Sequence, residues 1–136
     1  EIPLVNMWWL EFGKKLGLAF QVQDDYLDAF GDPSKFGKQV GGDILANKKT
    51  FLLIHALEAA NASQSKELKK LMDGNTDDKV AKVTQLFRDC KVDAWALELK
   101  NRFLDEAMHH LEDIAVLSKR KESLKELADF LVKREH

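Results

Sequence analysis

The sequence predicts an all-α fold, a bundle of helices joined by short loops. Three observations predict it. Apolar residues recur at helical spacing along most of the 136 residues. No run of alternating β-branched residues is present to build a half-buried strand. Clusters of glycine, proline, asparagine and aspartate punctuate the chain at intervals of a helix's length. There is no internal repeat and no low-complexity segment.

A first long helix is expected from Leu4 to Phe30. Pro3 suits its start, where a missing N–H costs nothing, and Gly31-Asp32-Pro33 ends it. Leu16, Leu18, Ala19, Phe20, Val22, Tyr26 and Leu27 cover most of its circumference, the pattern of a helix enclosed by others. Met7-Trp8-Trp9-Leu10 reads as core or as a subunit contact. The stretch Gly31 to Gly42 holds four of the seven glycines and reads as a loop. Asp43 is placed to cap a helix running through Ile44, Leu45, Thr50, Leu52, Leu53, His55, Ala56 and Ala59. A break at Asn61-Ala62-Ser63 precedes a short helix around Lys66–Met72, and Asp73-Gly74-Asn75 reads as a turn. Thr76 or Asp77 then caps a helix to about Arg88. Asp93 starts another near Ala94 that reaches Leu117, and a last one covers Glu122–Arg134.

The length is that of one domain, with enough aliphatic and aromatic residues for a core, so the whole chain is expected to form one packed unit. A formal charge of -2, with acids and bases mixed along the chain, gives no electrostatic case for a nucleic-acid partner. The apolar runs are too short and interrupted for a transmembrane segment; Asn6, Glu11 and Lys14 break the first. Cys90 is the only cysteine, which rules out an internal disulfide and is most simply read as a cytoplasmic, reducing setting. With no histidine beside it in sequence, Cys90 reads as an inert buried thiol rather than a nucleophile. Glu1 is not an initiator methionine, and no signal-peptide pattern follows it, so a fragment of a longer protein is expected.

The chemistry concentrates in Asp24-Asp25-Tyr26-Leu27-Asp28, a D-D-x-x-D arrangement on the apolar first helix. Gly17, Gln21, Asp24 and Asp28 share one narrow stripe, with Asp25 beside it. Carboxylates on an enclosed helix must be protonated or matched by a cation, and a divalent metal satisfies several oxygens at once. The glycine-rich loop that follows carries Lys35 and Lys38, and Asp43 to Lys49 add further acids and bases. Magnesium is typically held by one or two carboxylates together with substrate phosphates, while lysine neutralises phosphate oxygens and glycine lets backbone approach a ligand. A magnesium-bridged diphosphate between Asp24/Asp28 and Lys38/Lys48 accounts for the constellation. Taken singly, the aspartates also fit a solvated acidic turn and the lysines ordinary surface charge; Lys49 is read that way.

The run G-L-A-F-Q-x-Q-D-D-Y-L-D…G-D-P…G-K…G-G-D-I…N-K-K-T, Gly17 to Thr50, closely resembles the second aspartate-rich region of the trans-isoprenyl diphosphate synthases, the polyprenyl synthetase family. The form Gln21 to Asp28 is more similar to the short-chain farnesyl and geranylgeranyl members, and Leu127 to Arg134 resembles the end of bacterial members. The resemblance implies the C-terminal half of the isoprenoid synthase fold. It implies Mg2+-dependent ionisation of an allylic diphosphate, attack of isopentenyl diphosphate on the allylic cation, and proton loss. Asp24 would be a direct magnesium ligand, with Asp25 and Asp28 acting directly or through metal-bound water and Gln21 near the reacting groups. Lys38 would hold the departing diphosphate, Asp43 and Lys48 would support metal and phosphate, and Arg134 would meet the diphosphate of isopentenyl diphosphate. A homodimer is implied for the parent protein.

The family pairs this motif with an earlier D-D-x-x-D, and the chain has no second copy, because Asp77-Asp78 is followed by Ala81 at the third position. The isolated chain is therefore expected to be inactive. A noncatalytic synthase-like subunit or interaction module is the alternative, and terpene cyclisation is disfavoured because cyclases usually carry an N/D-S/T-E type second motif. Glu106-x-x-His109 has di-iron spacing, but that architecture needs two such motifs and two further glutamates. Leu104, Ala107, Met108, Leu111 and Ala115 should face the core there, with His109 and Asp113 pointing away.

Overall fold

A computed structural model describes residues 4–32, 34, 40–113 and 118–133. Seven helices and no strand occur among the described residues. They are α1 (Leu4–Phe30), α2 (Gly42–Leu45), α3 (Phe51–Ala59), α4 (Ala62–Asp73), α5 (Lys79–Asp89), α6 (Val92–Asp113) and α7 (Ser118–Lys133). The all-α reading holds, and α1 has the expected bounds. No described helix is long and apolar enough to cross a membrane.

The expected helix from Asp43 to Ala59 is instead two, because the chain leaves right-handed geometry between them. Asn47 has φ 55°, a conformation asparagine tolerates better than most residues. Thr50 is extended, and its hydroxyl accepts the Leu53 N–H at 3.1 Å, so Thr50 is the cap of α3. Asp43 is not a cap: Gly41 holds that place on α2, in left-handed geometry. Helix α4 starts earlier than expected, because Asn61 and Gln64 form a reciprocal capping box. Neither Thr76 nor Asp77 caps α5. The residue before α5 is Asp78, which makes no cap hydrogen bond and pairs with Lys82 at 2.9 Å instead. Asp93 lies inside the first turn of α6, where an acid suits the helix dipole. The expected reach of α6 to Leu117, and Ala115 with it, falls outside the described residues, and α7 begins before Glu122.

The chain forms two compact units. One draws on Glu1–Gln23 and Glu98–His136, the other is Asp24–Leu97. In the first, Phe12, Ala107 and Leu111 are buried together with Trp8, Trp9, Leu16, Met108 and Leu124 against them. Trp9 meets Phe12 edge-on at 5.9 Å, which assigns the aromatic pair of the Met7–Leu10 run to a core while Met7 and Leu10 stay exposed. Glu106 pairs with Lys15 at 2.9 Å and His109 is exposed, so Glu106 and His109 do not converge as ligands.

In the second unit, Ile44, Leu52, Ala56, Leu68, Val83 and Phe87 form the interior. The end of α1 is tied into it through Phe30, whose ring lies 6.3 Å from that of Phe87 and under the Arg88 guanidinium at 5.2 Å. That anchorage fixes the turn carrying the three aspartates.

Candidate functional site

The three aspartates occupy three different environments. Asp25 is 4% exposed and Asp28 8%, whereas Asp24 faces solvent with Gly17 and Gln21. The expectation that α1 is enclosed on all sides is therefore corrected: the stripe bearing Gly17, Gln21 and Asp24 is open.

The buried acids meet their demand for hydrogen bonds with main chain. Asp28 Oδ2 accepts the Asp43 N–H at 2.8 Å, and the Asp28 carbonyl accepts the Gly41 N–H at 2.6 Å. Asp25 Oδ2 accepts the Phe51 N–H at 3.1 Å. Asp43 and Phe51 stand in the first turns of α2 and α3, where N–H groups have no acceptor within their own helix. One turn of α1 thus fixes the starts of two later helices, and the Asp25 carboxylate adds favourable charge at the N-terminus of α3.

Lys48 supplies the cation. Its Nζ lies 3.9 Å from both Asp25 Oδ1 and Asp43 Oδ2, and its side chain is 58% exposed. Two pairs this long and this open add little stability. What they do is hold a lysine head at the solvent edge of the acids. Burial pushes the Asp25 carboxyl above the usual range, against the downward pull of the Phe51 N–H and Lys48.

Of the predicted site residues, Asp25, Asp28, Asp43 and Lys48 converge, and Asp24 adjoins them on α1. Gln21 is exposed on α1 one turn ahead of Asp24, and Lys49 is also exposed. Lys38 and Arg134 lie outside the described residues. Sequence reasoning missed the N–H of Phe51 as an anchor for Asp25 and the buried Lys79 behind the Asn47 turn. No local signal pointed to either.

A cavity of about 10 Å3 is lined by Asp25, Asp28, Asp43, Thr50, Met72 and Phe87 among others, room for one water at most. A group the size of a diphosphate has no space there. Among the described residues no group of three or more carboxylate, histidine or cysteine side chains is arranged to enclose a metal. Magnesium does not require one, since it keeps several waters and takes one or two carboxylates alongside substrate phosphates. An exposed Asp24 beside amide-bonded acids fits that demand.

A family model for polyprenyl synthetase matches residues 6–90, more than half of the chain. The short chain isoprenyl diphosphate synthase of Methanothermobacter thermautotrophicus is 34% identical over 128 residues, covering 93% of this chain and 38% of that protein. Among solved structures, a geranylgeranyl pyrophosphate synthase superposes with a TM-score of 0.85 at 32% identity, over 97% of this chain and 42% of that one. The geranylgeranyl pyrophosphate synthase of Corynebacterium glutamicum, complexed with isoprenyl diphosphate and magnesium, superposes at 0.79 and 29% identity, over 92% of this chain and 36% of its own. The chain thus spans about two fifths of the length of such relatives. It has the all-α isoprenoid synthase fold, with the aspartate turn, the glycine pair and Lys48 all inside the matched segment, and it belongs to the polyprenyl synthetase family.

Proposed function

We propose that this chain supplies the diphosphate-departure side of a prenyltransferase active site, of the short-chain isoprenyl diphosphate synthase type, as part of one catalytic domain. The observation that carries this reading is a Lys48 head held at 3.9 Å from both Asp25 and Asp43, with an exposed Asp24 next to Asp25 on α1. Magnesium, when bound, neutralises charge developing on the departing diphosphate. Asp24 offers it a carboxylate whose neighbours are already fixed by peptide N–H groups. Lys48 meets remaining phosphate oxygens, and Lys38 and Arg134 are assigned to diphosphate oxygens by the family resemblance. The allylic carbon–oxygen bond breaks with its electron pair passing to diphosphate, the double bond of isopentenyl diphosphate attacks the allylic cation, and loss of a proton completes elongation. Charges positioned before reaction stabilise the departing anion without reorganising.

The reaction calls for a second metal-binding face that this sequence does not contain, so the 136-residue chain alone is expected to be inactive. A cytoplasmic homodimer is the assembly we assign to the active protein. A noncatalytic subunit that keeps the fold is the alternative, and a second D-D-x-x-D in the coding sequence upstream of Glu1 would decide against it.

The test is Asp24→Ala in the full-length protein carrying this sequence, assayed with an allylic diphosphate and isopentenyl diphosphate over a magnesium series. Turnover should fall by on the order of 10²-fold or more, while an exposed position leaves stability within about 0.5 kcal/mol. Unchanged turnover with unchanged magnesium dependence would remove the assignment.

A further inference from the structure

Lys79 is wholly buried, at 0% exposure, at the first position of α5. Its Nζ donates to Asn47 Oδ1 at 2.8 Å and to the Met72 carbonyl near the end of α4 at 3.0 Å. Both acceptors are neutral, so burying this group is expensive unless the directed bonds matter. A methionine would fill similar space without removing a charge from water. What the amine adds is a grip on Asn47, the positive-φ residue immediately before Lys48.

The surrounding geometry makes that grip consequential. The Asn47 N–H donates to the Ile44 carbonyl and the Lys48 N–H to the Asp43 carbonyl, so the turn is closed on α2 by its own backbone. Beside Lys79, the methyls of Val80 fill the space over Gly41, the residue whose N–H holds Asp28. The start of α5 therefore braces both ends of the segment that presents Asp43 and Lys48.

We propose that Lys79 is a positioning residue: through Asn47 it sets the turn that places Lys48 against Asp25 and Asp43, and thereby tunes affinity for a magnesium-bound diphosphate. This rests on the diphosphate reading of the site given above. It requires no contact between Lys79 and the ligand.

The experiment uses the full-length protein with Lys79→Met, Lys79→Arg, Asn47→Gly and the Lys79→Met/Asn47→Gly double variant. Magnesium pyrophosphate binding is measured by calorimetry, KM for the allylic diphosphate and kcat by turnover, and stability by thermal denaturation. Asn47→Gly keeps the positive-φ turn and removes only the amide acceptor. Each of Lys79→Met and Asn47→Gly should weaken magnesium pyrophosphate by about tenfold and raise KM more than it lowers kcat, the scale of losing an outer support. The double variant should be no weaker than Lys79→Met alone, and Lys79→Arg should recover part of the loss. Lower melting temperatures with affinity and KM within twofold of the parent overturn the proposal, as does a double variant equal to the product of the singles. Where Lys79→Met fails to fold, Asn47→Gly decides, and unchanged affinity there refutes it. A parent that binds magnesium pyrophosphate but makes no prenyl product fails the prenyltransferase reading while calorimetry still settles Lys79. A parent that does not bind it overturns both.

Discussion

Gly41→Ala is the substitution the structure singles out most sharply. Gly41 has φ 93° and ψ 7°, and a Cβ there would stand 2.5 Å and 2.8 Å from the two methyls of Val80. Left-handed geometry costs an L-residue about 1–2 kcal/mol, and forcing a carbon into a filled space adds about 1–3 kcal/mol. The sum, about 2–5 kcal/mol, is a large fraction of a typical domain's stability. The adjacent Gly42 is the control. Its Cβ would approach nothing nearer than Asp28 Oδ1 at 3.5 Å, an ordinary contact, and it is in α2, where alanine is the better helix former. Thermal and urea denaturation of the parent, Gly41→Ala, Gly42→Ala, Val80→Ala and Gly41→Ala/Val80→Ala separate the two costs. Removing the Val80 methyls relieves the collision but not the backbone strain, so the cycle should show coupling of about 1–3 kcal/mol. Gly41→Ala as stable as Gly42→Ala would refute the reasoning.

Thr50→Ala removes the hydroxyl that caps α3 and should cost about 0.5–2 kcal/mol in denaturation, with Thr50→Ser recovering most of it; equal stability of all three proteins would deny the cap. Cys90 donates to Gln64 Oε1 at 3.6 Å, and burial, with Asp89 adding to it, pushes its thiol above the usual cysteine range. Since thiolate is the reactive form, iodoacetamide at pH 8 should modify the folded protein several-fold more slowly than the urea-unfolded chain, and the gap should narrow as pH rises through the folded pKa.

The helical fold was legible because it rests on apolar period and on breakers, both of which are local. The bounds of α1 followed from Pro3 and from Gly31-Asp32-Pro33 for that reason. The break between α2 and α3 was not legible, since Ile44, Leu45, Leu52, Leu53 and Ala56 keep a helical period across it. Asn47 is compatible with a helix until a tertiary partner makes its positive φ worthwhile, and Lys79, thirty-two residues on, is a partner no local pattern reveals. The site showed the same division. The D-D-x-x-D spacing and Lys48 pointed to groups that do come together, but which acid meets water depends on what packs against α1, and Phe51 contributes only a backbone N–H that any residue but proline would supply.

The angular order of the aspartates explains their division of labour. At about 100° per residue, Asp28 falls between Asp24 and Asp25 around α1. Exposure follows that order: Asp24 is open, Asp28 is at the boundary with 8%, and Asp25 is inside with 4%. One motif thus spans the edge of a packed helix. Its inner members spend oxygens on Asp43 and Phe51 N–H groups, which fixes the starts of α2 and α3 and the Lys48 turn between them. Its outer member is left facing solvent. Acids held this way are ordered before any ligand arrives, so on the diphosphate reading proposed above less of the binding energy would be consumed in arranging the protein. On that reading a single exposed carboxylate, its neighbours on α1 already fixed, would serve where three unsupported carboxylates would repel one another and move.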